Sequence, residues 1–229
     1  MNCRLPLLLA LSAATLSGCV FHIGGDWDDD DWGRSSYIRG NGVEATETRD
    51  IEDFDAVRVE DSIDLVVRVG EPTSLSLRGD ENLLEHVVTR VRNGRLEIEM
   101  DHGGYRSRRG LLVELSTPAL LAVRISGSSD VVIEDAAGDE LELRISGSGD
   151  IHATGAVERL SVKISGSGDM HLYDLTAREA SVSISGSGDV RTSVSELLEA
   201  RISGSGDIRY RGAPACSLSV SGSGSIRSD

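Results

Sequence analysis

One short motif recurs along the C-terminal half of the chain, spaced too regularly for a linker and too closely for a domain. It reads I-S-G-S-S-D at Ile125–Asp130 and I-S-G-S-G-D at Ile145–Asp150, Ile164–Asp169, Ile184–Asp189 and Ile202–Asp207, and it closes as V-S-G-S-G-S at Val220–Ser225. Successive copies begin 20, 19, 20, 18 and 18 residues apart. Such self-similarity marks a stacked architecture, because one repeat of this size cannot bury an apolar face alone. Each copy is embedded in strict alternation. Leu141, Leu143, Ile145, Gly147, Gly149, Ile151 and Ala153 share one parity, as do Leu160, Val162, Ile164, Gly166, Gly168, Met170 and Leu172. Period two over a dozen residues means extended chain with one buried face. The sequence therefore predicts an all-β solenoid, a parallel β-helix of 18–20 residues per coil, its rungs about 4.8 Å apart.

Aligning the copies assigns roles by column. The glycine pairs Gly147/Gly149, Gly166/Gly168, Gly186/Gly188 and Gly204/Gly206 fall on the inward parity, where they turn a corner at positive φ or let neighbouring backbones approach. Cys216 aligns with Leu121, Leu141, Leu160, Ala180 and Leu198, which predicts a buried, unreactive thiol. Two outward columns remain. One is Asp130, Asp150, Asp169, Asp189 and Asp207; the other, two residues on, is Val132, His152, His171, Arg191, Arg209 and Arg227. Stacked like charges repel by about 1 kcal/mol in water. The basic column offsets that, and Asp in a turn can accept backbone N–H groups. The Asp column is thus expected to be structural. A calcium ladder is the minority alternative, since calcium-binding rolls use a G-G-x-G-x-D nonapeptide and the motif here departs from it. Asp150, His152, Asp169 and His171 on adjacent rungs are the residues that could hold a transition metal, with a solvated surface preferred. No metal or cofactor is expected.

Composition agrees with a narrow core. Aromatic residues make up 3% of the chain and there are 26 glycines, whereas ordinary cores lean on large aromatic side chains. A formal net charge of −15 disfavours nucleic acid and bare anionic lipid as partners. The columns hold no nucleophile–base pair and no irregular rung with clustered acid and base. The chain is expected not to be an enzyme; the alternative is a polysaccharide-active β-helix.

The N-terminus carries an address. Arg4 precedes a short apolar run, Leu5–Leu16, which is too brief to span a bilayer as a helix. It ends in Leu16-Ser17-Gly18-Cys19, which resembles a bacterial lipobox. Residues 1–18 are read as a lipoprotein signal peptide and Cys19 as the lipid attachment site, anchoring by about 0.8 kcal/mol per buried methylene. Val20, where an Asp commonly signals inner-membrane retention, favours the outer membrane in a Gram-negative cell. Cys3 leaves with the signal, so Cys216 is the one thiol left in the domain. Residues 19–51, with five Asp between positions 26 and 31, are read as an acidic flexible tether. The domain is placed at residues 52–229.

Its first part reads as a cap on the solenoid. Val57, Val59, Ile63, Leu65 and Val67 alternate, Asp80–Val88 reads as a capped helical turn, and Asn93-Gly94 marks a hairpin or the next rung. Phe54-x-x-Val57-x-Val59, Ile63-Asp64-Leu65-Val66-Val67, Gly79-Asp80-Glu81-Asn82-Leu83-Leu84 and Gly94-x-Leu96-x-Ile98, followed by the S-G-S-G-D rungs, resemble the bacterial family called putative auto-transporter adhesin, head GIN domain. The resemblance spans about residues 52 to 227 and implies a right-handed parallel β-helix, the hand expected of parallel crossovers. It carries no established biochemistry. The functional expectation is a non-catalytic envelope lipoprotein, adhesin-like or a scaffold, presenting its faces to an envelope protein or polysaccharide; a calcium- or transition-metal-binding solenoid is a further alternative.

Overall fold

The computed structural model describes residues 37–229. The expected signal peptide, the expected lipid-attachment residue Cys19 and the first part of the expected tether lie outside the described residues. Two short strands open the described chain, β1 (Ile38–Arg39) and β2 (Glu44–Thr48). Next come β3 (Ala56–Asp61), β4 (Ile63–Val69), β5 (Ser74–Asp80), the one-turn helix α1 (Glu81–Leu84), β6 (Val87–Arg92) and β7 (Arg95–Met100). Then follow β8 (Tyr105–Arg106), β9 (Leu111–Thr117) and β10 (Ala122–Gly127). The repeats form the long bent strands β11 (Val131–Gly147), β12 (Ile151–Gly166), β13 (Met170–Gly186) and β14 (Val190–Gly204). The chain ends in β15 (Ile208–Arg211), β16 (Ala215–Gly222) and β17 (Ile226–Ser228).

Stacking is parallel and in register. Val59, Ile125, Ile145, Ile164, Ile184, Ile202 and Val220 pair in succession down one column. All but Val220 are at most 2% exposed. A second column, Leu65, Val131, Ile151, Met170, Val190 and Ile208, is equally closed. Each such side chain contributes about 1.5–3 kcal/mol by leaving water, and the columns merge into one narrow aliphatic core. The expected all-β parallel solenoid is therefore the fold.

The two glycines of each motif do different work: of the two roles expected, turning a corner or admitting a neighbouring backbone, the first glycine fills both and the second only the latter. The first of each pair, Gly147, Gly166, Gly186 or Gly204, ends a long strand. Gly166 is representative: it sits at φ +145°, and a Cβ there would lie 2.1 Å from the Gly147 carbonyl oxygen. The second glycines, Gly149, Gly168, Gly188 and Gly206, lie between strands, are buried and have no positive φ. Left-handed turning therefore explains none of these four. Space does. A Cβ on Gly168 would lie 2.0 Å from the Gly149 carbonyl oxygen, one on Gly188 2.0 Å from that of Gly168, and one on Gly206 2.0 Å from that of Gly188. Rungs meet backbone to backbone here, and any side chain would push them apart.

The solenoid starts earlier than the motif. Asp61-Ser62-Ile63-Asp64 stands where later rungs have Gly-Ser-Gly-Asp, because β3 pairs with β10 so that Asp61 faces Gly127. Asp61 takes φ +67°, a left-handed conformation that Asp tolerates better than most residues. In the next copy Ser129 replaces the second glycine. Fully buried, it accepts the Ile63 N–H at 3.1 Å.

The N-terminal section caps this stack. β6 and β7 form an antiparallel hairpin closed by Asn93 and Gly94, both at positive φ, and β7 pairs in parallel with β3. Leu83 and Leu84 of α1 pack into the core. Asp80, expected as a helix cap, makes no capping hydrogen bond; its carboxylate accepts the Ser107 hydroxyl instead.

Two further expectations need correction. The sequence places the end of the tether at residue 51, yet β2 pairs antiparallel with β5 from Glu44↔Asp80 to Thr48↔Ser76. Ladder bonding to a buried strand orders this segment, although its sequence has almost no apolar period. The sequence also predicts a buried Cys216. It does stand in register with Leu198, but it is exposed, as is every residue of β16. An inward parity buries a side chain only where another coil covers it, and among the described residues none stacks beyond β16. Leu121, from the same column, is 49% exposed; its neighbour Leu120 fills the core.

Candidate functional site

Three surface features carry polar chemistry, two of them along the outward columns. The Asp column is a hydrogen-bonded ladder. Asp64 Oδ1 accepts the Asp130 N–H at 3.0 Å, and Asp130 Oδ1 accepts that of Asp150 at 3.1 Å. Asp150, Asp169 and Asp189 each accept from the next Asp at 2.7–2.8 Å. Asp207 ends the ladder on both the N–H and the hydroxyl of Ser225. These bonds to ionised acceptors replace electrostatic repulsion with attachment between rungs. The second glycines, from Gly149 to Gly206, immediately precede the ladder, and their lack of side chains brings each carboxylate within reach of the next N–H. Burial raises the Asp64 carboxyl above its ordinary value despite the Asp130 N–H, while the Ser225 hydroxyl and N–H lower that of Asp207. One oxygen of every carboxylate is thus committed to the scaffold.

The neighbouring column forms a stacked strip. The rings of His152 and His171 lie 4.4 Å apart at 20°, and Arg191 donates to His171 Nδ1 at 2.8 Å. Burial, then the neighbouring His152 and Arg191 charges, push the His171 pKa below its ordinary value. Asp150, His152, Asp169 and His171 are adjacent as the sequence predicts. They do not converge as a ligand cluster: a guanidinium takes one His171 nitrogen, and one oxygen of each Asp binds backbone.

The third feature is not visible in the columns. At the capped end, the parallel pair β1–β8 brings Arg39 and Arg106 side by side. With Gly40, Asn41, Asp80, Arg108 and Arg109 they line a recess of about 780 Å³. The Arg106 guanidinium rests over the Tyr37 ring, 5.0 Å from its centroid, and Arg109 pairs with Glu44 at 2.8 Å. Among the described residues Arg39, Arg106 and Arg108 have no ion-pair partner. Tyr105 fixes the loop beneath them: its hydroxyl donates to the Ser62 carbonyl oxygen at 2.6 Å and accepts the Leu111 N–H at 3.2 Å. Burial pushes its pKa up to about 12, so it stays a neutral phenol. Asp80 is 2% exposed; one oxygen holds Ser107 at 2.6 Å and the other is buried without a partner. Four arginines line one recess; Glu44 pairs with Arg109 and the Asp80 carboxylate shares the lining, so arginine stays in excess there, in a chain of net charge −15, and that excess suits carboxylate or phosphate oxygens.

A capped parallel solenoid of this kind is a fold shared with solved structures described as putative adhesins. The chain belongs to the family described as "Putative auto-transporter adhesin, head GIN domain", whose profile matches residues 53–214. Among solved structures, a "putative adhesin" from Bacteroides fragilis NCTC 9343 is similar with a TM-score of 0.68 at 21% identity, over 84% of this chain and 100% of that one. A "putative lipid binding protein" from Parabacteroides distasonis ATCC 8503 is 28% identical with a TM-score of 0.54, over 84% and 99% of the two chains. A "putative adhesin" from Parabacteroides merdae ATCC 43184 gives 0.55 at 21%, again over 84% and 99%. No curated protein matches the chain. Among the described residues no helix is long and apolar enough to cross a membrane.

Proposed function

We propose that this protein is a non-catalytic envelope lipoprotein, anchored through Cys19 with the outer membrane favoured, that binds an acidic polysaccharide through the arginine recess. The observation that carries the reading is the convergence of Arg39, Arg106, Arg108 and Arg109 on one recess at the capped end. The acidic remainder of the chain repels a flat anionic surface, whereas recessed guanidiniums attract a single carboxylate or phosphate group. Membership of an adhesin-named family agrees with an envelope binding role, and the rigid solenoid supplies the stand on which the recess is displayed.

Binding of the full chain to polygalacturonate, followed against ionic strength, tests this. The double variant R106Q/R108Q removes two charge-assisted contacts of about 1.5–3 kcal/mol each and is expected to weaken binding by about a hundred-fold or more. R191Q/R209Q, on the long face, should leave binding unchanged. The reverse pattern would move the site to the face. A parallel titration with phosphatidylglycerol vesicles separates a lipid headgroup from a glycan, as the lipid-binding relative makes the natural comparison. Vesicle binding lost in R106Q/R108Q, without polygalacturonate binding, overturns the polysaccharide assignment.

A further inference from the structure

The capping hairpin holds a second cluster that no part of the repeat predicts. His86 stands just before β6 and Asp101 just after β7, extending the antiparallel register by one pair beyond Val87↔Met100. Backbone bonds fix both positions: the Asp101 N–H donates to the His86 carbonyl oxygen at 2.9 Å, and the His86 N–H donates to that of Leu83 at 3.1 Å. His102 follows in a tight turn, its carbonyl oxygen accepting the Gly104 N–H. Both imidazoles aim the same atom at one carboxylate oxygen. His86 Nδ1 lies 3.1 Å and His102 Nδ1 2.6 Å from Asp101 Oδ1. The two rings meet edge to face with centroids 5.5 Å apart.

We infer that His86, Asp101 and His102 form a binding site for one divalent transition cation of the zinc class. One ligand atom from each of the three lies within 4.8 Å of the others, so a cation placed between them reaches all three with small side-chain rotations. Two imidazoles and one carboxylate suit zinc and its neighbours, not calcium or magnesium, which take oxygen. Three protein ligands leave a tetrahedral position open to water or to a ligand donor. The Glu85 carboxylate lies 3.9 Å from His86 Nε2, on the ring nitrogen that would face away from the metal. That is beyond hydrogen-bond distance, and a side-chain rotation would bring the carboxylate within reach to orient a metal-bound imidazole. Among the described residues no other trio of His, Cys, Asp and Glu converges in this way. His152 and His171 stack without a third ligand, and Arg191 occupies His171 Nδ1. The cluster also opens the loop whose far end carries Arg106, Arg108 and Arg109, so a bound cation would clamp that loop at its origin.

Zinc chloride titrated calorimetrically into the full chain tests the site, with the enthalpy compared between buffers to count released protons. One saturable equivalent is expected, with affinity falling as pH drops and protons compete with the cation for its ligands. Changes in residues behind the ligands already cost about 10–100-fold in metal affinity. D101N and H102Q, both at exposed positions, should therefore each weaken zinc by about a hundred-fold or more. E85Q should weaken it less, and the control H152Q/H171Q not at all. An isotherm unchanged by D101N and H102Q, or one abolished by H152Q/H171Q, overturns the assignment. So does wild-type protein that neither takes up zinc nor melts at a higher temperature in its presence.

Discussion

Gly166 to alanine is the substitution whose cost can be worked most directly from the geometry. The new Cβ would sit 2.1 Å from the Gly147 carbonyl oxygen, far inside the contact distance of about 3.5 Å at which nonbonded atoms rest. That oxygen belongs to a rung held in register on both sides, so relief requires the two coils to part locally. Overpacking of this kind costs about 1–3 kcal/mol. Holding alanine at φ +145° adds about 1–3 kcal/mol of backbone strain, for a total of about 2–6 kcal/mol. Gly138 supplies the internal control. It has nearly the same φ, +137°, but an added Cβ there meets nothing within 4 Å. Gly138→Ala should cost only the strain, about 1–3 kcal/mol. Urea unfolding followed by far-ultraviolet circular dichroism measures both, and unchanged slopes would license the comparison. If Gly166→Ala costs no more than Gly138→Ala, close rung contact is not what fixes glycine in the motif.

Three further outcomes follow from the ladder, the strip and the last coil. Asp169→Ala leaves the Asp189 N–H without the acceptor it finds at 2.8 Å and should cost about 1.5–3 kcal/mol; Asp169→Asn keeps an acceptor and should cost less than half as much in the same urea assay. His171 has a folded pKa below its ordinary 6.5, so the unfolded chain takes its proton more readily. Its contribution to stability is complete above about pH 6.5 and is lost as pH falls from there through the folded value. Urea midpoints measured between about pH 8 and about pH 5 should fall less steeply in His171→Gln over that window. Cys216 is exposed and should react with a maleimide in the native protein, as located by peptide mapping; labelling that needs denaturant would restore the buried reading.

The architecture was legible in the sequence because it rests on two local rules. Period two places Ile125, Ile145, Ile164, Ile184 and Ile202 on one face, and a fixed repeat length stacks them in register. The same rules read the alternation from Val57 to Val67 but gave it to the cap, without recognising Asp61–Asp64 as a rung. Asp61 supplies the positive φ and Ser129 fills the gap above Ile63, so no glycine pair betrays that coil. They could not separate the two glycines of a motif either, since Gly188 and Gly206 are fixed by the backbone of the coil beneath and not by their own φ. They misplaced Cys216 because parity says which way a side chain points and nothing of what covers it. The recess was beyond them altogether. Arg39, Asp80 and Arg106–Arg109 lie far apart along the chain and converge only through pairings of two-residue and antiparallel strands in the cap. His86 and Asp101 are likewise joined by the hairpin register. The one sign the sequence offered was the Asn93-Gly94 turn, which implies that residues equidistant from it face each other. Regular rungs carry their own signature, whereas the irregular cap, where the chemistry gathers, does not.

If recognition resides in the capped end and not in the repeat faces, an oxyanion should collect among the cap arginines. Diffraction from crystals soaked in tungstate, a heavy tetrahedral oxyanion, tests it most directly. The strongest anomalous peak is expected in the recess, within hydrogen-bonding reach of Arg39, Arg106 and Arg108. A peak instead along Arg191, Arg209 and Arg227, or an empty recess at saturating anion, would contradict it.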